Sequence, residues 1–274
     1  MTTSIPFMIY GTAWKKGATA DLVERALLKG FRGVDTACQP RHYHEPGVGE
    51  GLLRAKKNGI DREAIFLQTK FTPADGQDPE SIPYDPNASF RDQVLQSFEV
   101  SKKNLHTEYL DCLVLHSPLR TRESLFQVWD AMSEIYEFGG TKMLGISNCY
   151  DLAVLKDLVA NAGVKPSVIQ NRLYAETAYD FDLRKYCREF GIVYESFWTL
   201  TANPQILSHS NILEIADQKS ITPAQVFFSF LSKNGIVPLT GTKSDKHMEE
   251  DLNIPNIALS DQECSVINSL GPFV

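Results

Sequence analysis

The feature that most constrains the fold of this chain is a repeated alternation of two kinds of segment. Short apolar stretches that reach a polar residue are each followed by a stretch with the spacing of an amphipathic helix. The clearest of these stretches lead to Asp35, to Lys70 and to His116. Parallel strands need helical crossovers of this kind, and in a closed parallel barrel one rim carries the chemistry. The pattern therefore predicts a parallel barrel with an active site at its C-terminal rim.

Eight such strands can be counted, and each is followed by a helical stretch. Several are nearly continuous apolar runs, which is typical of strands buried on both faces. The length of 274 residues suits one (β/α)8 barrel, and no shift in composition marks a linker. We therefore predict an α/β protein that forms a single (β/α)8 TIM barrel over residues 1–274. The predicted strands cover residues 6–10, 33–37, 65–71, 110–116, 142–147, 168–173, 192–197 and 236–239.

Composition excludes several classes of function. A formal net charge of -7 and a pI near 5.4 argue against nucleic acid or an anionic membrane surface as a partner. No apolar run approaches the roughly 18 residues of a membrane helix, and the N-terminus lacks a secretory pattern. We therefore expect a cytoplasmic protein and, by default, a monomer. The five cysteines lack the paired spacing of a metal site, so we expect buried thiols and no metal.

Four ionisable residues are candidates for catalysis, although each has an ordinary interpretation. Asp35 can cap a turn, His116 can be a satisfied core histidine, and Tyr43 can be a surface aromatic residue. Lys70 is less ordinary, because a lysine at the end of an apolar strand is rarely buried without a partner.

Taken together, the four residues form a coherent proton-transfer site. A free tyrosine has a pKa of about 10, and a neighbouring ammonium group lowers that pKa by stabilising the phenolate. Asp35 would balance the charge of Lys70, and a neutral His116 would orient a carbonyl oxygen beside the Tyr43 hydroxyl. None of the four can donate electrons, so a bound hydride carrier is implied.

Four stretches resemble, in order, the signatures of the aldo-keto reductases: 34–37, 67–70, 110–116 and 144–148. The resemblance extends from residue 11 to about residue 252. It implies a (β/α)8 barrel that binds NADPH in an extended form without a Rossmann domain. No Gly-x-Gly-x-x-Gly follows a strand in this chain, which agrees with that implication.

The resemblance also assigns roles to individual residues. Asp35, Tyr43, Lys70 and His116 match the family's catalytic tetrad, with Tyr43 as general acid in reduction and base in oxidation. The residues matched to the cofactor site are Ser147, Asn148 and Gln170 for the nicotinamide amide, Phe197 for stacking on its ring, and Thr242, Lys243, Ser244, His247, Glu250 and Asp251 for the adenosine phosphate. Turn and helix caps with solvated charges are the alternative interpretation of this set. Apart from the resemblance, the candidates to line an apolar substrate pocket are Trp14, Tyr84 and Trp198, and each can equally be a packing residue.

The chain departs from the family pattern near the proposed tyrosine. The gap between Asp35 and Tyr43 is longer than usual, and an ungapped alignment places Pro40 at the tyrosine position. His42 and His44 are rival proton donors. We choose Tyr43 because the family's acidic, Val-Gly-containing stretch follows it, at residues 45–49.

Other departures concern the cofactor and the ends of the barrel. His247 replaces an arginine that holds the cofactor phosphate in the family, so NADH is possible beside NADPH. We expect no N-terminal hairpin before strand one and a short C-terminal tail after the last helix. The long loop 73–88 would then cover the site instead.

Three functions remain open at this point. The leading one is NADPH-dependent reduction of an aldehyde or ketone to an alcohol by hydride transfer. The second is a non-catalytic nicotinamide-nucleotide-binding protein that regulates a partner. The third is a Schiff-base aldolase with Lys70 as nucleophile, which leaves Ser147, Asn148 and Gln170 without a role.

Overall fold

A computed structural model describes residues 4–273 of the chain. Eight parallel strands pair in chain order, and β8 pairs with β1 to close a barrel. The predicted (β/α)8 barrel is confirmed. The strands are β1 (Ile9–Gly11), β2 (Gly33–Asp35), β3 (Phe66–Phe71), β4 (Cys112–Leu115), β5 (Leu144–Ser147), β6 (Val168–Arg172), β7 (Val193–Phe197) and β8 (Ile236–Thr240).

Helices form the outer layer, and the crossover from β7 to β8 contains three of them. The helices are α1 (Thr19–Lys29), α2 (Glu45–Lys57), α3 (Phe90–Leu105), α4 (Arg122–Glu137), α5 (Leu152–Asn161), α6 (Phe181–Phe190), α7 (Pro204–Leu207), α8 (Ser210–Lys219), α9 (Pro223–Lys233), α10 (Asp245–Leu252) and α11 (Asp261–Asn268). Short 3-10 turns occur at Lys16–Ala18, Arg62–Ala64, Ala74–Gly76, Ala175–Asp180 and Ile254–Asn256.

The first strand differs most from its predicted bounds. The prediction began at Pro6, whereas the ladder begins at Ile9, which pairs with Leu239 of β8. Proline has no N–H to give to a ladder, so an apolar run that begins with proline need not be strand from its start. The strand extends to Gly11, which pairs with Asp35 of β2.

The barrel has two apolar clusters, one inside the strands and one outside. The outer cluster is the larger and lies between the strands and the helices, with the fully buried Trp129 among its members. Side chains alternate between the two sides along each strand. The inner cluster consists of Ile9, Phe66, Cys112, Val114, Val168 and Leu239.

The inner face becomes polar toward the C-terminal ends of the strands. In β3 the inward sequence runs from Phe66 through Gln68 to Lys70, and in β6 it runs from Val168 through Gln170. The barrel therefore has an apolar floor and a polar upper layer. That upper layer is where the predicted catalytic residues lie.

Helix α2 is fixed closely against α3, which positions the loop that carries Tyr43. A Cβ on Gly49 would lie 2.0 Å from the Asn104 carbonyl oxygen, so only glycine fits. The buried Glu45 accepts hydrogen bonds from Thr69 (2.5 Å) and Asn104 (3.2 Å). The start of α2, directly after Tyr43, is thereby tied to β3 and α3.

The sequence also led to expectations about an N-terminal hairpin, membrane helices and the cysteines. No strand outside the barrel precedes β1 within residues 4–273, and no helix there is long and apolar enough to cross a bilayer. Cys38, Cys112, Cys149 and Cys187 are buried free thiols, as expected, while Cys264 is free and partly exposed.

Asp111, at the end of the barrel opposite the polar layer, offers a test of stability. This fully buried carboxylate accepts hydrogen bonds from Arg62 (2.8 Å), Lys142 (2.8 Å) and the Leu67 N–H (3.0 Å). Asp111→Ala leaves these donors without the buried anion, so we expect a loss of about 3–5 kcal/mol in the free energy of unfolding. Urea denaturation measures that loss.

The matched control is Asp157→Ala, which removes the Arg122–Asp157 ion pair on the surface. Exposed pairs contribute roughly 0–1 kcal/mol, so this variant should lose no more than that. Equal losses in the two variants would contradict the special role of Asp111.

Candidate active site

A cavity of about 920 Å³ opens at the C-terminal rim of the barrel. This volume lies in the upper part of the range of roughly 300–1,000 Å³ found for small-molecule sites. Residues at or after the ends of all eight strands contribute to its wall. Asp35, Tyr43 and His116 line the cavity, and Lys70 lies buried behind Asp35. The structure thus brings the four predicted catalytic residues to one place.

Lys70 and Asp35 form a buried ion pair. The Lys70 Nζ lies 2.5 Å from the Asp35 Oδ1 and 2.8 Å from the Thr36 carbonyl oxygen. Their side chains are only 1% and 4% exposed. Burial acts to lower the pKa of Lys70, but the charges of Asp35 and Tyr43 outweigh it and hold that pKa above its usual value. Lys70 is therefore a permanent ammonium group in this site.

Tyr43 lies in the loop between β2 and α2, with its ring against Lys70 and His116. The Lys70 Nζ lies 5.3 Å from the ring centroid, and the His116 ring packs edge-on at 5.9 Å. Burial raises the pKa of Tyr43, Lys70 lowers it, and Asp35 raises it further. The net direction is upward, so the simple expectation of a lowered pKa is wrong for the free protein. The phenol remains protonated at neutral pH.

His116 is neutral, and one of its ring nitrogens is hydrogen-bonded to a neighbouring side chain. Its Nδ1 lies 2.7 Å from the Thr72 hydroxyl oxygen. Burial, followed by the charges of Lys70 and His42, lowers the pKa of His116 to about 3. The neutral, oriented imidazole that the sequence predicted is what the structure contains.

The alternatives to Tyr43 as proton donor, and the residue at its ungapped alignment position, are less well placed in the cavity. His42 reaches the cavity wall, but its ring stacks on Trp14 with 4.2 Å between centroids. His44 and Pro40 are exposed and do not line the cavity. The insertion before Tyr43 therefore loops outward and returns the phenol to the site.

Ser147, Asn148, Gln170 and Phe197, which were predicted to hold a nicotinamide, all line the cavity. The Ser147 hydroxyl donates a hydrogen bond to the backbone carbonyl oxygen of Gln170 (2.7 Å). The Asn148 side-chain amide donates one to the backbone carbonyl oxygen of His116 (2.8 Å). The Gln170 amide group donates inward to two buried carboxylates (3.0 and 2.8 Å). Both side-chain N–H groups of Gln170 are thus used inside the barrel, and its side-chain amide oxygen is the remaining polar atom that can bind a ligand.

The predicted phosphate site divides into two groups. Thr242, Lys243 and His247 line the cavity. Ser244, Glu250 and Asp251 are not part of that wall, and their contribution to the cofactor site stays a prediction. Ser244 accepts the backbone N–H of His247 and caps α10, and Glu250 pairs with a lysine of the same helix. Asp251 is buried and accepts a hydrogen bond of 2.7 Å from a strand threonine.

The predicted substrate residues also divide. Trp14 and Trp198 line the cavity and are about half exposed. Tyr84 is not among the residues of that wall, and its role in a substrate pocket stays a prediction. Its ring packs on Phe71, and its hydroxyl donates to the Thr72 carbonyl oxygen (2.7 Å). The loop 73–88 is anchored by this contact and reaches the wall at Gly76.

Sequence analysis missed a polar layer below the catalytic pair. The amide nitrogens of Gln68 and Gln170 each donate to Asp35 and to Glu195, at 2.7–3.0 Å. Burial, opposed by these two amides, raises the pKa of Glu195 to about 7. Strand alternation was the available signal, because Gln68 stands two positions before Lys70 on the same face.

Lys15 and Arg172 were also missed, although both line the cavity. The Lys15 ammonium donates to the Gly241 carbonyl oxygen and joins the loops after β1 and β8. Burial, followed by the charge of Lys243, lowers the pKa of Lys15 to about 8. Arg172 stands two positions after Gln170, on the same face of β6. Among residues 4–273, no group of three or more histidine, cysteine or acidic side chains can hold a metal.

Comparison with known proteins places this geometry in a family context. The sequence model described as the Aldo/keto reductase family matches residues 8–272. A glyoxal reductase of Bacillus subtilis is 27% identical, over 90% of this chain and 82% of that protein. An NADPH-dependent alpha-keto amide reductase of Saccharomyces cerevisiae is 26% identical, over 95% and 85%. A crystal structure of an aldo/keto reductase from Brucella melitensis superposes with a TM-score of 0.83 at 26% identity, over 97% and 95%.

Replacing Glu195 should change the pH dependence of stability. Because burial raises the pKa of Glu195 from an ordinary 4.5 to about 7, the folded protein loses stability as the pH rises through this range. The loss amounts to about 3 kcal/mol. Glu195→Gln removes this pH-dependent loss. As the pH rises from 4.5 to 8, the free energy of unfolding of the variant should therefore increase by up to that amount relative to that of the unmodified protein. Urea denaturation at both pH values tests this.

Glu137→Gln, at the exposed end of α4, is the control and should show no such gain. A difference between the Glu195 variant and the unmodified protein that stays constant with pH would show that Glu195 does not titrate in this range.

Proposed function

Since the chain belongs to the aldo/keto reductase family, we propose that it reduces an aldehyde or ketone to an alcohol, with a nicotinamide nucleotide as hydride donor. The observation that carries this proposal is the meeting of Tyr43, Lys70, Asp35 and His116 at one cavity. These residues come from three successive strand ends and one loop. A protonated phenol can donate a proton to a carbonyl oxygen, an ammonium group can stabilise the phenolate that results, and a neutral imidazole can donate a hydrogen bond to the same oxygen.

The cavity wall fits the nucleotide in its chemistry. Donors and acceptors for a neutral amide come from Ser147, Asn148 and the side-chain oxygen of Gln170. Phe197 offers an aromatic face on which the nicotinamide ring can stack. At the other end, Thr242 and Lys243 offer a hydroxyl and a cation for phosphate. The name of the yeast relative favours NADPH as the partner of this site.

Proton transfer in this site follows from the charges already described. When bound, the nucleotide supplies the hydride. Tyr43 donates its phenolic proton to the carbonyl oxygen as that oxygen gains charge. Lys70 then stabilises the phenolate left behind, because its raised pKa keeps it an ammonium group at neutral pH. Asp35 holds Lys70 in place at 2.5 Å.

His116 orients the carbonyl group in this scheme. A neutral imidazole has one N–H, and the Thr72 hydroxyl can donate to its Nδ1. The proton then resides on Nε2, which donates a hydrogen bond to the carbonyl oxygen. A charged imidazolium is excluded at neutral pH by the lowered pKa of His116, near 3.

The charge state of Lys70 argues against the Schiff-base aldolase. A lysine nucleophile must lose its proton, whereas Asp35 and Tyr43 hold the pKa of Lys70 above its usual value. The position of Tyr43 argues against a purely regulatory protein, because the longer loop still places the Tyr43 ring at the cavity wall, with its centroid 5.3 Å from the Lys70 Nζ.

Tyr43→Phe tests the proton donor. The variant keeps the ring and removes the acid, and general acid catalysis contributes roughly 10²–10⁴-fold. We expect kcat for carbonyl reduction to fall by at least about 100-fold, with the NADPH dissociation constant changed less than about threefold. Stopped-flow turnover and cofactor fluorescence measure the two quantities.

His42→Asn is the control, because it removes the rival donor in the same wall, and its kcat should fall by less than about tenfold. A larger loss in this variant than in Tyr43→Phe would transfer the acid role to His42. Nucleotide binding without turnover in the unmodified protein would favour the regulatory function.

Lys243→Ala tests the phosphate contact. A charge-assisted hydrogen bond contributes roughly 1.5–3 kcal/mol, so NADPH should bind at least about tenfold more weakly while NADH changes little. Lys246→Ala, on the first turn of α10 but outside the wall, should leave both affinities unchanged. Equal weakening of NADPH and NADH would remove Lys243 from the phosphate site.

A further inference from the structure

Arg172 places a permanent cation in the wall of the catalytic cavity. It ends β6, pairs in register with Phe197 of β7, and follows Gln170 on the inner face of the strand. An arginine remains charged at any physiological pH. A cation at this position therefore faces whatever occupies the cavity.

The guanidinium group is held in place by aromatic rings. Its Cζ lies 4.3 Å from the centroid of the Trp198 ring and 5.1 Å from that of Tyr174. The Tyr150 hydroxyl accepts the Arg172 backbone N–H at 3.2 Å, and the Tyr150 ring packs edge-on against Tyr174. Stacking of this kind fixes the plane of the guanidinium and leaves its edges available for hydrogen bonds.

Arg172 has no anionic partner in the part of the chain that the structure describes. Its Nε is buried and has no hydrogen-bond acceptor there, and its guanidinium forms no ion pair with residues 4–273. The half-buried Arg62 and the buried Arg184 differ, since both have several acceptors. A guanidinium that is held by stacking and has a buried donor without an acceptor is suited to bind an oxyanion.

The charges of the cavity wall also favour an anionic ligand. Lys15, Arg172 and Lys243 line it, and the one carboxylate among the described lining residues is Asp35, which is paired with Lys70. The whole chain carries a formal charge of -7. A positive cavity in a negative protein concentrates anionic ligands at its mouth.

We propose that Arg172 is an oxyanion-binding residue of this cavity, which binds the carboxylate of an anionic carbonyl substrate or the diphosphate of the nucleotide. The proposal deepens the reductase function and rests on it for the substrate. In the first case the enzyme prefers aldehydes and ketones that carry an acidic group. In the second, Arg172 contributes to the affinity for NADPH and NADH alike.

A matched pair of aldehydes separates these two sources of the anion. The pair is 4-carboxybenzaldehyde and its methyl ester, which have similar shapes but differ in charge. Arg172→Met keeps an unbranched chain against Trp198 and removes the charge, whereas Arg172→Lys keeps a charge without the fork. The measurements are kcat/KM for both aldehydes and the dissociation constants of NADPH and NADH by fluorescence.

A substrate oxyanion predicts that Arg172→Met lowers kcat/KM for the carboxylate at least about tenfold more than for the ester. Arg172→Lys should restore part of that preference. A nucleotide diphosphate predicts instead that both dissociation constants rise at least about tenfold, with the ratio between the aldehydes unchanged. Either outcome supports the oxyanion site and identifies the ligand that supplies the anion.

The proposal is overturned if the aldehyde ratio and both dissociation constants change less than about threefold in Arg172→Met. It is also overturned by equal loss of kcat on both aldehydes with unchanged nucleotide binding, which indicates a structural role. Arg122→Met is the control. Arg122 also stacks on a ring, that of Phe126 at 4.4 Å, but lies on the surface, and its replacement should change none of these quantities.

Failure of the reductase function itself would be distinguishable. In that case the unmodified protein turns over neither aldehyde. Arg172 is then judged by the nucleotide dissociation constants and by calorimetric titration with terephthalate, a dicarboxylate of similar shape. Loss of both interactions in Arg172→Met supports the oxyanion site without turnover, and their persistence overturns it.

Discussion

The ion pair between Lys70 and Asp35 is the interaction on which the site depends. Removal of two charges from water costs several kcal/mol for each ion, and only close geometry with further hydrogen bonds offsets that cost. Here the Lys70 Nζ lies 2.5 Å from the Asp35 Oδ1, and the Thr36 carbonyl oxygen accepts a second hydrogen bond from Lys70. Gln68 and Gln170 donate hydrogen bonds to the Asp35 carboxylate. Lys70 is consequently a fixed positive charge, which lowers the pKa of Tyr43 against the upward effect of burial and, together with burial, lowers the pKa of His116.

The barrel provides the setting in which such a pair can exist. Its interior has an apolar floor that includes Phe66 and Val168, and above it a layer in which Glu195 and Asp35 share two glutamine amides. Each level is set by alternation along the strands, so one strand contributes a floor residue, a layer residue and a rim residue in turn. At the rim, Trp14, Asn148 and Trp198 adopt positive φ angles of 52° to 62°. Non-glycine residues hold such angles where the surrounding structure imposes them, often at functional sites.

The fold and most of the site were accessible from the sequence, for identifiable reasons. Apolar strands buried on both faces leave a strong periodic signal, so all eight strands were predicted, with bounds that differ from the observed ones by up to three residues and most at the start of β1. The positions of Asp35, Lys70 and His116 followed from strand ends, whose direction a parallel barrel fixes. The placement of Tyr84 and Asp251 was less accessible, because the side chain of a loop or helix residue can point toward the cavity or away from it. Tyr84 packs on Phe71, and Asp251 turns to a strand threonine.

By itself the sequence determined which residues stand at which level of the barrel, because strand period and strand order are local properties of the chain. Only the tertiary structure decided how those residues act on one another. Burial raises the pKa of Tyr43 despite the charge of Lys70, raises that of Glu195 to about 7, and leaves Arg172 between two rings without an anion. Within residues 4–273, these properties depend on distances and desolvation among residues far apart in the chain, and such quantities exist only once the barrel has closed.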